Sequence, residues 1–181
     1  MARKETVTKT ILLDAAFAML KEEGFDQVTA RKLAAKANCS TQPIFRIYEN
    51  MEELYVDLFA KAVDSFEEYY QAFPKTTVVP FVNLGLAYIL YAQKYPNVFK
   101  LLFLSNERYG RSLYDMINGE SGNVTREIQA AKSQGANDAQ GLFMKMWMFI
   151  HGVACMSLTG DYDLSEDETV IMLKDAYASF R

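Results

Sequence analysis

A short stretch of the chain, STQPIFRIY, carries side chains whose polar groups match the edges of DNA bases. Gln42 can bridge N6 and N7 of adenine, and Arg46 can bridge O6 and N7 of guanine. Pro43 and the methyl group of Thr41 can each contact a thymine methyl. We therefore predict that these four side chains are exposed and face a DNA groove.

Basic and hydroxyl side chains just upstream suit the phosphates on either side of such a groove. Thr29, Arg31 and Lys32 lie at the start of a predicted helix, where backbone N–H groups also attract anions. Arg3, Lys4 and Lys9 could extend this contact along an N-terminal arm. The alternative is that these charges are ordinary solvated surface groups.

Two aromatic residues complete the candidate set. Phe45 and Tyr48 are expected to pack between helices, and a hydrogen bond from the Tyr48 hydroxyl to phosphate is an additional possibility. Ile44 and Ile47 are expected to fasten the helix to its neighbours. The predicted DNA-binding residues are Thr29, Arg31, Lys32, Ser40, Thr41, Gln42, Pro43, Phe45, Arg46 and Tyr48.

These side chains need two short helices joined by a tight turn. Thr29 is a predicted N-cap for a helix over residues 30–37, and Asn38 suits the left-handed position after it. Ser40 is predicted to cap the next helix, where Pro43 falls in the first turn and costs no hydrogen bond. Two helices in this arrangement form a helix-turn-helix, whose second helix enters the major groove.

Helical periodicity continues along the rest of the chain, and no alternating strand pattern interrupts it. Three capping pairs are predicted: Asn50 with Glu53, Asn137 with Gln140, and Ser165 with Glu168. The sequence predicts an all-α fold of about nine to ten helices. Their ranges are 5–23, 30–37, a short helix after residue 40, 51–73, 79–95, 97–104, 110–118, 124–134, a long helix ending at 158, and a last helix after 165.

Charge is distributed unevenly along the 181 residues. The net charge is −4, but residues 1–48 carry +3 and residues 49–181 carry −7. A basic head on an acidic body indicates that only the head meets a polyanion. Two cysteines cannot form a disulfide framework, and the longest near-apolar stretch, residues 146–158, is too short to cross a membrane. We therefore expect a cytoplasmic protein.

Enzymatic chemistry is not indicated. The sequence contains no HExxH, GxSxG, GxxxxGK[ST] or GxGxxG motif, and its single histidine leaves little scope for general-base catalysis. No Cys/His spacing suggests a metal site, so neither a metal nor a cofactor is expected. Cys39 and Cys155 are interpreted as small apolar packing residues.

The body is rich in aromatic and methionine side chains, most of which must form its core. Tyrosines with polar tips and adaptable methionines also suit a cavity for an apolar or aromatic compound. His151 is interpreted as a hydrogen-bonded core residue or, less often, a ligand contact. The candidate effector-binding residues are Tyr88, Tyr91, Phe103, Tyr114, Met144, Trp147, Met148 and His151.

The first sixty residues or so resemble the TetR-type transcriptional regulators. The similarity lies in an N-terminal helix ending EEGFD, then VTARKLAAKANCS, then TQPIFRIY, and then ENMEELY opening a long helix. The spacing from Gly24 to Leu54 is its specific part. Trp147 with His151-Gly152 is similar to a C-terminal subgroup named for a W/H/G pattern.

This resemblance implies a homodimer that binds a palindromic operator and is released by a small molecule, which moves the long fourth helix. The two final helices of each subunit would form a four-helix interface. The residues expected there are Met146, Ile150, Val153, Val170, Leu173, Tyr177 and Phe180. Two positions depart from the family pattern: Asn38 replaces a turn glycine, and Met51 replaces a lysine that meets phosphate.

The resemblance also divides the chain into a DNA-binding domain, residues 1–49, and a ligand-binding and dimerisation domain, residues 50–181. A second interpretation remains open, because one phosphate contact is missing at Met51. In that interpretation the protein is an interaction module whose head no longer binds DNA specifically. Salt separates the two, since DNA binding weakens steeply with ionic strength and apolar docking does not.

Overall fold

The computed structural model describes residues 7–181. Within that range the chain forms ten α-helices and no strand, which confirms the predicted all-α class. The helices are α1 Lys9–Glu23, α2 Ala30–Lys36, α3 Gln42–Ile47, α4 Met51–Ala72, α5 Val82–Lys94, α6 Pro96–Phe99, α7 Leu113–Asn118, α8 Asn123–Ser133, α9 Ala139–Thr159 and α10 Glu166–Phe180.

The described chain divides into two compact units. Unit 1 comprises the residues up to Val63 together with Asn97–Gly110, and unit 2 comprises Asp64–Pro96 and Arg111–Arg181. The division falls inside α4 and so differs from a boundary at residues 49 and 50. The N-terminal part of α4 packs with the helix-turn-helix, which is why sequence composition alone does not mark the division.

The first helices of unit 1 begin and end at residues with the expected backbone chemistry. The Thr8 hydroxyl accepts a hydrogen bond from the Ile11 N–H, and Gly24 ends α1 with a φ of 94°. Thr29 caps α2 by accepting from the Lys32 N–H, as predicted. The chain then turns at Asn38, whose φ of 51° confirms the predicted left-handed position.

The start of α3 differs from the prediction in detail. Its N-cap position is Thr41 rather than Ser40, and no side chain there makes a capping hydrogen bond. Pro43 nevertheless lies in the first turn, where a missing N–H is harmless. Ile44 is buried and Ile47 is partly buried, so α3 is fastened to unit 1 mainly through Ile44.

Two reciprocal hydrogen bonds define the beginning of α4. Asn50 Oδ1 accepts from the Glu53 N–H at 3.0 Å, and Glu53 Oε2 accepts from the Glu49 N–H at 2.7 Å. The predicted pair is therefore present, although the glutamate reaches Glu49 instead of the cap residue itself. Tyr55 donates to the Val28 carbonyl at 2.8 Å, which holds this part of α4 against the head.

Two further boundaries differ from their predictions. Pro96 begins α6 instead of lying outside it, and the helix continues as a π-helical turn over Lys100–Leu104. The cap of α9 is Asp138, whose carboxylate accepts from the Gly141 N–H at 2.8 Å, so the predicted Asn137–Gln140 pair is wrong. The predicted box of Ser165 and Glu168 at α10 is confirmed.

Helices α5, α9 and α10 pack against one another and form the core of unit 2. In the described chain, α9 is the one helix long and apolar enough to span a membrane by length and composition. Helix α9 is longer than the 13-residue apolar stretch identified in the sequence, because it extends beyond that stretch at both ends. Only a third of its most apolar part is buried, so α9 leaves an apolar face exposed.

Candidate nucleic-acid interface

The exposed face of α3 presents the predicted base-contacting side chains. Thr41, Gln42 and Arg46 are all exposed, and Pro43 is partly exposed. Gln42, Phe45 and Arg46 are three and four residues apart and therefore share one side of the helix. Buried Ile44 holds the opposite side. This geometry matches a recognition helix that offers one polar face to a groove.

The two aromatic candidates lie in different environments. Phe45 is 50% exposed, so the expectation that it packs between helices is wrong. It lies on the recognition face, where its ring suits a thymine methyl. Tyr48 is fully buried and packs in unit 1, as expected. Burial, with the nearby Asp57 carboxylate, raises the pKa of Tyr48, and its enclosed hydroxyl is not placed to reach a phosphate.

The predicted phosphate-contacting residues upstream are exposed, but Lys32 is already engaged. Lys32 Nζ lies 2.9 Å from Glu23 Oε2 and 2.7 Å from Gln27 Oε1, whereas no such pair is seen for Arg31 in the described chain. Exposed pairs of this kind contribute only about 0–1 kcal/mol. A phosphate can therefore compete for Lys32 at small cost. The Thr29 hydroxyl caps α2 and lies at the same edge.

Other lysines of unit 1 are paired with carboxylates in the same way. Lys36 binds Glu22 at 2.6 Å, and Lys61 binds Asp14 at 2.8 Å. Lys9 binds Asp57 at 2.7 Å and lies over the Tyr48 ring, so part of the predicted arm is folded onto the head. Arg3 and Lys4 lie outside the described residues.

These acidic partners were not recognised from the sequence. Glu22 and Glu23 end α1, whereas the lysines that they bind lie on α2. Because the pairs join different helices, no periodic spacing reveals them. The run EEG at the end of α1 was the available signal, since acids at a helix C-terminus oppose the helix dipole and gain from a nearby cation.

Unit 2 contains a small apolar cavity, with room for about 10 Å³. Tyr88 and Trp147, two of the eight predicted effector-binding residues, line it. Its full lining is Phe81, Leu84, Gly85, Tyr88, Phe143, Met146, Trp147 and Ile150. A drug-sized ligand needs several hundred Å³, so the cavity must enlarge before it can hold one.

Phe81, one of the residues that line this cavity, has a strained backbone. It is buried with a φ of 65°, a conformation that costs a non-glycine residue about 1–2 kcal/mol. The Phe81 N–H donates to Glu127 Oε2 at 2.6 Å, which holds the strained backbone in place. No pattern around VVPFV predicted this conformation.

The other predicted effector-binding residues do not form one site. Met144, Met148 and Tyr114 are exposed, and Phe103 belongs to the core of unit 1. Tyr91 is buried, and its hydroxyl shares a hydrogen bond with Ser65 at 2.7 Å. The sequence identified these residues as large and mostly apolar, but the rotation of each helix about its own axis decides which of them face inward.

His151 does not line the cavity, but it contacts two residues that do, Tyr88 and Trp147. Its Nδ1 is 3.0 Å from the Tyr88 hydroxyl, and its ring stacks on Trp147 with centroids 5.7 Å apart. This confirms the interpretation of a hydrogen-bonded histidine in the helical body. The W/H/G subgroup assignment stays a prediction.

Most of the predicted dimer-interface residues are buried within a single chain. Five of them are enclosed by their own chain, which leaves little of their surface to a partner: Met146, Ile150, Val153, Leu173 and Tyr177. Val170 and Phe180 are partly exposed. The prediction chose the most apolar stripe of each helix, and that stripe forms the core of unit 2.

Comparison with known proteins shows what the helix-turn-helix segment is similar to. Residues 12–58 match the model of bacterial regulatory proteins of the tetR family. The matched segment contains α2, the turn, α3 and the beginning of α4, where the candidate interface lies. No curated protein matches the sequence.

Solved structures share the fold over nearly the whole chain. A TetR-family protein from Vibrio parahaemolyticus has a TM-score of 0.69 and 16% identity, with 93% of this chain and 96% of that chain covered. A TetR-like transcriptional regulator from Rhodococcus sp. RHA1 has a TM-score of 0.65 and 15% identity, with 97% and 96% covered. The helix-turn-helix segment thus matches the tetR family model, and the described chain shares the fold of solved TetR-type regulators.

Proposed function

We propose that this regulator binds a twofold-symmetric DNA operator as a homodimer in the cytoplasm and is released from it by a small apolar or aromatic effector. The observation that carries the proposal is the exposed face of α3. Gln42, Phe45 and Arg46 stand together on it, with Arg31 and Lys32 exposed on α2. This combination supplies base-edge contacts beside phosphate contacts, as sequence-specific binding requires.

The exposed face of unit 2 supports association with a second copy. Met148, Met156 and Ile171 expose 61%, 47% and 59% of their side chains on the last two helices. A Cβ on Gly152 of α9 would meet open space, so another helix can approach the backbone closely there. Since a mostly apolar helix needs cover in water, a second copy is the partner that we propose.

The cavity of unit 2 supports an apolar effector. The surface that lines it is wholly apolar, which suits a compound that presents apolar or aromatic groups there. The effector enlarges the cavity by displacing Phe81, whose strained backbone favours a change of conformation. Helix α4 has residues in both units and is the connection through which this change would reach the head.

The proposal is tested by fluorescence anisotropy with DNA from immediately upstream of the protein's own gene. A scrambled duplex of the same composition is the DNA control, at about 150 mM salt. A variant with Gln42→Ala and Arg46→Ala is the protein control, because both side chains are exposed and their loss spares the core.

Specific binding about a thousandfold tighter than to the scrambled duplex, lost in the double variant, is the expected result. If the protein shows no preference for the upstream duplex, duplexes that it binds are selected from a pool of random sequences. Failure to enrich a twofold-symmetric sequence from that pool would contradict operator binding.

The interaction module remains the second candidate, and one observation favours it. Four lysines of unit 1 are paired with carboxylates of their own chain, which lowers the positive charge available to DNA. Failure to bind any duplex even at about 50 mM salt would support the module, because phosphate contacts are strongest at low salt.

A further inference from the structure

Three side chains with soft donor atoms lie along α9, outside the set lining the apolar cavity. Met148, His151 and Cys155 are three and four residues apart and therefore share one side of the helix. His151 Nε2 lies 3.7 Å from Cys155 Sγ. Met148 is largely exposed, and the other two are partly exposed. The imidazole and the thiol are therefore neighbours, and the thioether of Met148 lies one turn away on the same side of α9.

The imidazole ring of His151 is held in a fixed orientation. Its Nδ1 makes a hydrogen bond with the Tyr88 hydroxyl at 3.0 Å, and the indole of Trp147 stacks on its face. When Nδ1 carries the proton and donates to Tyr88, Nε2 has a lone pair directed towards Cys155. Metal-binding histidines are commonly oriented by such a hydrogen bond at the second ring nitrogen.

The separation of the two donor atoms fits a shared metal ion. With a metal–nitrogen bond of about 2.0 Å and a metal–sulfur bond of about 2.3 Å, ligands at tetrahedral to trigonal angles lie roughly 3.5–3.7 Å apart. The observed distance of 3.7 Å agrees with the trigonal end of that range. A metal ion can therefore bridge the pair with little rearrangement.

The donor types select the metal. In the described chain no group of three or more His, Cys, Asp or Glu side chains is placed to hold an ion, so one chain does not supply a four-ligand zinc site there. Thiolate and thioether sulfur with one imidazole suit Cu(I), which accepts few, soft ligands. We propose that Cys155, His151 and Met148 bind one Cu(I) ion, with Tyr88 as a positioning residue.

Binding is a ligand exchange without electron transfer. The Cys155 thiol loses its proton to solvent, sulfur forms a bond to copper, and the metal remains Cu(I). Burial raises the pKa of the Cys155 thiol, so the free protein carries the neutral thiol near pH 7. A coordinating metal displaces the thiol proton, so the affinity for Cu(I) should fall as the pH is lowered.

The test is an anaerobic titration of the full chain with Cu(I), buffered by the chelator bathocuproine disulfonate. Trp147 is the only tryptophan, and its contact with His151 makes its fluorescence a direct reporter of the site. One Cu(I) per chain with quenched fluorescence is the expected result. The Cys39→Ser variant is the matched control, because it removes the other thiol, which lies in unit 1.

The variants distinguish the site from adventitious thiol binding. Cys155→Ser and His151→Gln should each weaken Cu(I) by more than about 100-fold, and Tyr88→Phe by about tenfold, the effect expected for an outer hydrogen-bond partner. Met148→Leu should also weaken binding. Circular dichroism checks that each variant remains helical, and Cys155→Ala repeats the test with a different side chain.

Two outcomes would overturn the proposal. One is equal Cu(I) affinity in the parent and in both Cys155 variants. The other is loss of binding in Cys39→Ser. Met148 also lies on the face proposed for association, so Ile171→Asp, designed to be monomeric, should bind Cu(I) at least as tightly as the parent. Binding confined to the dimer would contradict a site within one chain.

Discussion

At the scale of single residues, Arg46 and Lys32 are expected to contribute differently to DNA binding. Arg46 projects from the exposed face of α3, where a guanidinium can make two hydrogen bonds to one guanine. Lys32 lies on α2 and binds the Glu23 carboxylate, so a phosphate that binds Lys32 must displace that carboxylate. The first contact discriminates between bases, whereas the second contributes affinity to every sequence.

Arg46→Ala should cost about 1–3 kcal/mol on the operator and relax the base preference at one position. Competition between duplexes that differ at single positions measures both effects. Arg31→Ala is the control and should weaken all duplexes alike. If Arg46→Ala also weakened all duplexes alike, Arg46 would be a phosphate contact only.

Glu23→Gln should raise DNA affinity by up to about fivefold, because an exposed ion pair contributes no more than about 1 kcal/mol and its loss leaves Lys32 available to phosphate. The affinity for operator and scrambled duplexes should rise by the same factor in anisotropy titrations. Asp14→Asn changes the charge equally and breaks the Lys61 pair instead. An equal gain in that control would show that total charge, not Lys32, is responsible.

At the scale of helices, side-chain hydrogen bonds stabilise the first turns of α4 and α10. Ser165 and Glu168 cap α10 with reciprocal hydrogen bonds, whereas at α4 Asn50 accepts from the Glu53 N–H and the Glu53 carboxylate accepts from the Glu49 N–H. The acids suit the positive end of each helix dipole, but those near α4 also repel DNA phosphates. The same residues that stabilise α4 therefore weaken its capacity to contact DNA.

Met51→Lys should increase DNA affinity on all sequences and steepen the dependence of log K on log salt by about one unit. Met51 is the first residue of α4 and is partly exposed, so a lysine there can extend into solvent. Binding measured across a salt series checks the slope. An unchanged slope would mean that the N-terminus of α4 does not approach the DNA backbone.

Ser165→Ala should lower the free energy of unfolding by about 1 kcal/mol, because α10 loses its N-cap. Hydrogen bonds from Ser165 lower the pKa of Glu168 below its ordinary 4.5. A lowered folded-state pKa contributes stability above the ordinary value, and acid removes it as the pH falls through the lowered value. Denaturant unfolding of both proteins at pH 7 and at low pH should show the difference shrinking in acid, and a constant difference would contradict the coupling.

At the scale of the whole molecule, different apolar residues of the last two helices contribute to folding and to association. Leu173 is fully buried against its own chain, whereas Ile171, two residues earlier on α10, is 59% exposed. The first residue therefore stabilises unit 2, and the second is available to a partner. Association of two copies would double the number of recognition helices that contact the DNA.

Ile171→Asp should dissociate the dimer while the chain remains folded, because a charge would be buried at the interface but solvated in the monomer. Leu173→Ala should instead lower the free energy of unfolding by about 2–5 kcal/mol and leave association unchanged in the folded fraction. Sedimentation velocity and thermal unfolding of both variants measure the two effects. A dimeric Ile171→Asp would refute this face as the interface.

The helix-turn-helix could be predicted closely because its signals are local. Thr29 caps α2, Asn38 takes the left-handed turn and Ile44 is buried, and each follows from a residue and its neighbours. Asp138 and Phe81 were not predicted. The choice of Asp138 over Asn137 as the cap depends on a one-residue difference in where α9 begins. The strained Phe81 backbone depends on a hydrogen bond from its N–H to the distant Glu127 carboxylate.

The sequence alone determined the helical class, the position of the recognition helix and the side chains that it offers to DNA, since periodicity, caps and turn residues act over a few positions. Only the tertiary structure decided which apolar stripe of α9 is core and which is surface, because both stripes of that helix are apolar and the packing of α5 and α10 distinguishes them. It also brought Glu23 to Lys32 and Tyr88 to His151, pairs that form only when separate helices meet.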